Sequence, residues 1–94
     1  AAERVPVVLD GIISTAAGLI AYLLNPSVRE YFFVAHASVE KAQAAACRMM
    51  DLEPIVDLSM RLGEGTGAAI VMDLIRASAD VLEKMASFEE AGIA

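Results

Sequence analysis

The sequence predicts an α/β fold with parallel strands, mostly helical with two or three short strands. Three observations carry this. Apolar runs rich in β-branched or aromatic residues, Val5 to Leu9 and Tyr31 to Ala35, end at Asp10-Gly11 and at His36-Ala37-Ser38. A longer stretch of helical character follows each run. The longest helical pattern then starts directly after a glycine-rich stretch, Arg61-Leu62-Gly63-Glu64-Gly65-Thr66-Gly67. Continuous apolar runs of this length suit parallel strands covered on both faces.

In chain order, the first strand tolerates Pro6 only near its start or at an edge. Asp10 and Gly11 close it, at the carboxyl end where ligands gather in open α/β sheets. Asp10 is read either as a site residue or as a turn or helix-capping residue. A helix is expected from Ser14 to Leu24, with Ala16, Ala17, Leu19, Ile20, Leu23 and Leu24 on a broad apolar face. Asn25-Pro26 stops it. Ser27-Val28-Arg29-Glu30 has capping-box spacing and predicts a brief helical turn. The second strand ends at His36, whose simplest reading is a hydrogen-bonded structural residue. Ser38 is expected to N-cap a helix from Val39 to Met50 and could offer its hydroxyl to a ligand. Ile55, Val56 and Leu58 form a third strand or one helical turn. The last helix is expected from Thr66 to Phe88, with Ile70, Leu74, Val81, Met85 and Phe88 on one stripe.

The chain has 94 residues, a net charge of −6, 57% apolar residues and a mean hydropathy of +0.58. That apolar share is high for so short a chain, which has little interior in which to bury it. The sequence opens Ala-Ala-Glu-Arg and enters an apolar run at once, as expected of a piece cut from a longer protein. No basic stripe is present, so no nucleic-acid partner is expected. Ile12 to Leu24 is too short to span a bilayer, which needs about 20 apolar residues, so no membrane partner is expected. One cysteine and one histidine make a zinc site improbable, and Cys47 reads as a small buried apolar side chain.

Glu64 sits between two glycines at the mouth of the last helix. Backbone N–H groups and the positive end of the helix dipole meet there. From this pattern alone, a loop with a solvated carboxylate is the simpler reading, and an active-site carboxylate is the sharper one. The stretch Leu58-Ser59-Met60-Arg61-Leu62-Gly63-Glu64-Gly65-Thr66-Gly67-Ala68-Ala69 resembles the signature near the C-terminal end of the nicotinate-nucleotide–dimethylbenzimidazole phosphoribosyltransferases. Three other stretches resemble the family in its own order: Val5 to Gly11, Ala35 to Glu40 and Met85 to Gly92.

The resemblance covers essentially all 94 residues and about the last quarter to third of the family's usual length. It implies that residues 1–62 are the C-terminal part of a Rossmann-like parallel-sheet catalytic domain. Residues 63–94 are then the Gly-Glu-Gly turn and a long helix contributing to a small helical domain. It implies transfer of phosphoribose from nicotinate mononucleotide to 5,6-dimethylbenzimidazole, in cobalamin lower-ligand synthesis, by a cytoplasmic homodimer that needs no cofactor and no metal. Glu64 matches the family's catalytic base. Asp10, Gly11, Ser38, Leu62, Gly63 and Gly65 match substrate-site positions, and Ile12 fills the place after Asp-Gly where the family often has a large apolar residue. The phosphate-binding lysine and most of the base pocket would belong to the preceding part of the family's chain, so these 94 residues alone are expected to be inactive. The alternative reading is a non-enzymatic, self-associating helical interaction module. The two part on whether Asp10, Ser38 and Glu64 gather at one cleft.

Overall fold

The computed structural model describes residues 2–57 and 65–92. The elements run β1 (Val7–Leu9), α1 (Ile12–Leu24), a 3₁₀ helix (Pro26–Tyr31), β2 (Phe32–His36), α2 (Lys41–Met50), β3 (Pro54–Val56) and α3 (Thr66–Lys84). The expected α/β class holds. The three strands form one parallel sheet in the order β1-β2-β3, with Val8 opposite Phe33 and His36 opposite Val56. Residues 54–56 are therefore a strand, which resolves the open choice at Ile55 and Val56.

The central strand is the most covered. Val34, Ala35 and His36 are all buried, while Val7 and Ile55 on the outer strands stay about 40% exposed (42% and 40%). Leu9, Val34, Cys47 and Met50 make the core, flanked by Leu19, Tyr22, Phe32 and Leu52. Burial pushes the Cys47 thiol above its ordinary value of 9.0 and keeps it neutral.

The helices depart from the expected faces and caps. In α1, Thr15 and Gly18 are the buried residues, whereas Ile20, Leu23 and Leu24 are exposed. Gly18 allows this approach, since a Cβ there would stand 2.8 Å from Leu9 Cδ1. The capping residue before the 3₁₀ helix is Asn25, whose Oδ1 accepts from the Ser27 N–H and hydroxyl. Proline at the first helical position suits that start. Helix α2 begins two residues later than expected, after Glu40. Ser38 Oγ accepts the Glu40 N–H at 3.1 Å, so it closes a local turn in place of capping the helix.

Arg29 fastens the other end of α2. It donates to the carbonyl oxygens of Met50 (2.5 Å) and Asp51 (2.7 Å), two of the acceptors a helix C-terminus leaves free. Helix α3 stops at Lys84, four residues short of the expected Phe88, and lies against β2 and β1. Among the described residues, no helix is long and apolar enough to cross a membrane.

Candidate functional site: the carboxyl end of β1 and the mouth of α3

Asp10 leaves β1 at its carboxyl end and is held through three groups. Its N–H donates to Ser14 Oγ at 2.7 Å, and that hydroxyl donates in turn to Gly11 O. Its carbonyl oxygen accepts from Gln43 Nε2 at 3.2 Å. Its carboxylate crosses to α3, where Oδ2 accepts the Gly65 N–H and Oδ1 accepts the Ala68 N–H, each at 3.1 Å. These are the cap residue and the third residue of the helix. Asp10 therefore does for α3 what an N-cap side chain ordinarily does for its own helix. The sequence leaves room for this: Gly65 offers no side-chain cap, and the first turn of α3 has no acidic residue. The charge also meets the positive end of the helix dipole, a favourable arrangement worth about 0.3–1 kcal/mol, and up to about 2 kcal/mol when partly buried.

Gly65 takes φ +82°, a backbone region that glycine enters at little cost. Gly67 is required by contact. A Cβ there would overlap the His36 imidazole and lie 2.8 Å from Asp10 Oδ1. His36 is only 2% exposed, and its Nε2 is 3.4 Å from Asp10 Oδ1. Neither ring nitrogen makes a hydrogen bond among the described residues, so the expected hydrogen-bonded role is replaced by close packing against the carboxylate.

Asp10, Gly11, Ile12, Gly65 and Ala68 line one cleft of about 540 Å³. Three of the expected site residues, Asp10, Gly11 and Gly65, thus share one wall. Ser38 lies elsewhere, on a cavity of about 240 Å³ between α2 and β3 with Gln43, Cys47, Arg48 and Pro54. Leu62, Gly63 and Glu64 lie outside the described residues. No group of three or more His, Cys, Asp or Glu side chains spaced for a metal occurs among the described residues.

Gln43 is not among the residues that the sequence marks as a site. Gln43 bonds both Asp10 O and Thr15 Oγ1 while only 2% exposed. A lone amide in an Ala-rich helix was its only signal. Gly67 was marked by the alternate spacing of the glycines, without its partner being legible.

The family model described as a phosphoribosyltransferase, DBI_PRT, matches residues 1–93. The chain belongs to this family. It is 58% identical over 93 residues to the nicotinate-nucleotide–dimethylbenzimidazole phosphoribosyltransferase of Geobacter sp. (strain M21), covering 99% of this chain and 27% of that protein. It is 57% identical over 94 residues to the protein of the same name from Geotalea uraniireducens (strain Rf4), covering 100% and 27%. The crystal structure of the enzyme so named from Thermus thermophilus superposes with a TM-score of 0.87 at 43% identity, over 95% of this chain and 27% of that one. The chain therefore spans about a quarter of the length of the relatives it matches. Phosphoribosyltransferases are pentosyltransferases, and the cleft beside Asp10 sits where an α/β member of such a family gathers ligands, at strand carboxyl ends.

Proposed function

We propose that the whole protein transfers phosphoribose from nicotinate mononucleotide to 5,6-dimethylbenzimidazole, giving α-ribazole 5′-phosphate and nicotinate. The observation that carries this reading is the meeting of Asp10, Gly11 and Gly65 at one cleft, in a chain 58% identical to a protein named for that reaction. Of the three residues that separate this reading from a non-enzymatic module, Asp10 lines the cleft, Ser38 lines another cavity and Glu64 lies outside the described residues. The bond from the Gly65 N–H to Asp10, across 55 positions, is what favours the enzyme.

The chemistry asks little of the protein. The pyridine nitrogen of the nucleotide is already cationic, so nicotinate leaves as a neutral ring without a general acid. One benzimidazole nitrogen attacks the anomeric carbon from the opposite face, with inversion. As that bond forms, the N–H on the other ring nitrogen becomes acidic. Glu64 takes this proton. Leu62, Gly63 and Gly65 border the base, and Gly11 contributes to the nucleotide side, whereas Ser38 lines the separate cavity between α2 and β3 and is left out of this cleft.

In this reading residues 1–62 belong to the catalytic α/β domain, and residues 63–94 pass from the turn into a small helical domain. The bare apolar faces of α1 and α3 support further covering surfaces, including a second copy in a homodimer. The enzyme works in the cytoplasm. The 94 residues alone are inactive, because groups for the 5′-phosphate and most of the base pocket come from the remaining length of the family's chain.

The test is nicotinate release by the full-length protein, with and without 5,6-dimethylbenzimidazole. Base-dependent release is expected, and Glu64→Gln should lower turnover by roughly 10²–10⁴-fold. Unchanged turnover in that variant refutes Glu64 as the base. No base-dependent release refutes the reaction.

A further inference from the structure

We propose that Asp10 is a positioning residue for this reaction: it holds the turn that carries Glu64 by capping α3 from the end of β1. The inference rests on the reading of Glu64 as the base. Its ground is the covalent path. The Gly65 nitrogen is bonded to the carbonyl carbon of Glu64, and Asp10 Oδ2 accepts from that nitrogen at 3.1 Å. The Ala68 bond to Oδ1 fixes the direction of the helix that follows.

A capping residue can transmit position only if it is fixed itself. Asp10 is. Ser14 holds its N–H, and Gln43 holds its carbonyl oxygen while bonded to Thr15 Oγ1. Thr15, Gln43 and His36 are each at most 2% exposed, so these groups have no room to drift. His36 closes the carboxylate from behind, and Gly67 is the gap through which helix and imidazole approach. Gly65 has no side chain with which to cap α3, and the first turn of the helix carries no acidic residue, so the Asp10 carboxylate takes that place. Both carboxylate oxygens already serve helix N–H groups. Asp10 thus acts on the reaction through the turn.

The experiment uses the full-length protein with Asp10→Ala and Asp10→Asn. Turnover and KM for nicotinate mononucleotide are measured, together with deuterium exchange of the peptide containing Gly65 and Ala68. In Asp10→Ala, kcat should fall by about 30-fold or more, because misplacing a reacting group by about 1 Å can cost 10²-fold. KM should stay within about threefold of the parent value, and the peptide should exchange faster. Asp10→Asn keeps one carbonyl acceptor and should recover part of kcat.

A folded Asp10→Ala protein with kcat within about twofold of normal overturns the proposal. So does a KM rise of about tenfold at unchanged kcat, which would mean that Asp10 touches substrate. If the alanine variant fails to fold, the asparagine variant is judged by the same two criteria. Glu64→Gln is run beside them. Parent-level turnover in that variant refutes the base and the catalytic part of this proposal, whereas unaltered exchange in the Asp10 variants refutes the capping part alone.

Discussion

The two ends of α3 share one helix and meet opposite surroundings. At its start, Gly67 and Val71 are buried against the sheet and the Asp10–His36 pair. From Arg76 to Gly92 every residue is exposed, including Leu82 at 87% and Met85 at 70%. The bare half still carries apolar side chains, Val81 and Leu82 among them. It remains helical as far as Lys84 on good helix formers (Leu, Arg, Ala, Glu, Lys) and on paired charges, Asp73 with Arg76 and Asp80 with Lys84. Docking in this chain follows the presence of a small residue at the contact. Helix α1 repeats the lesson, with Thr15 and Gly18 inward and Ile13 exposed at 86%. Glycine lets each helix approach the side chains it packs against, and the larger apolar side chains stay exposed.

Gly67→Val tests the docked end most severely. The added side chain enters space held by the His36 ring and the Asp10 carboxylate, with no flexible neighbour to give way. We expect a loss of about 3 kcal/mol, the upper part of the range for overpacking, read from urea unfolding. A loss below about 1 kcal/mol would mean that α3 is not seated on this pair. Val71→Ala sharpens the same point with less force. Val71 is fully buried, and removing two methyl groups there should cost about 2 kcal/mol.

Much of this was legible in the sequence, and the missing part has a physical reason. The class, the ends of β1 and β2 and the start of α3 follow from apolar runs and turn residues, which act locally. The inward faces do not. Periodicity marks Ile70, Leu74 and Val81 as a stripe, yet Ile70 is 45% and Val81 53% exposed, because the contact is made at Gly67 and Val71. The amphipathic pattern identifies a helix that will be covered, without saying by which part of the molecule. The cap positions fall at Asn25, whose Oδ1 accepts the Ser27 N–H, and at Glu40, whose side chain caps nothing and whose N–H is taken by Ser38 Oγ, so local turns displace both serines from the cap. Of the candidate site, Asp10 and Gly65 were visible as types. Their bond joins residues 55 positions apart, and no spacing rule encodes that.

On the bare half, charge removal should be nearly silent. Lys84 Nζ lies 3.6 Å from Asp80 Oδ1, with side chains 72% and 54% exposed. Lys84→Ala should cost at most about 0.5 kcal/mol, falling further in salt.

Leu82→Ala should have the smallest effect of all in this chain, within about 0.5 kcal/mol, since a side chain 87% exposed gives up almost no buried area. The same substitution in the full-length protein makes the comparison decisive. If residues 63–94 enter a helical domain there, Leu82 becomes interior and its loss should cost about 2–5 kcal/mol, as for a core leucine. The difference between the two measurements is the free energy that the remaining chain contributes at this position. A near-zero cost at both lengths would leave the far half of α3 solvated in the whole enzyme, and residues 63–94 would then contribute the turn and the docked end alone.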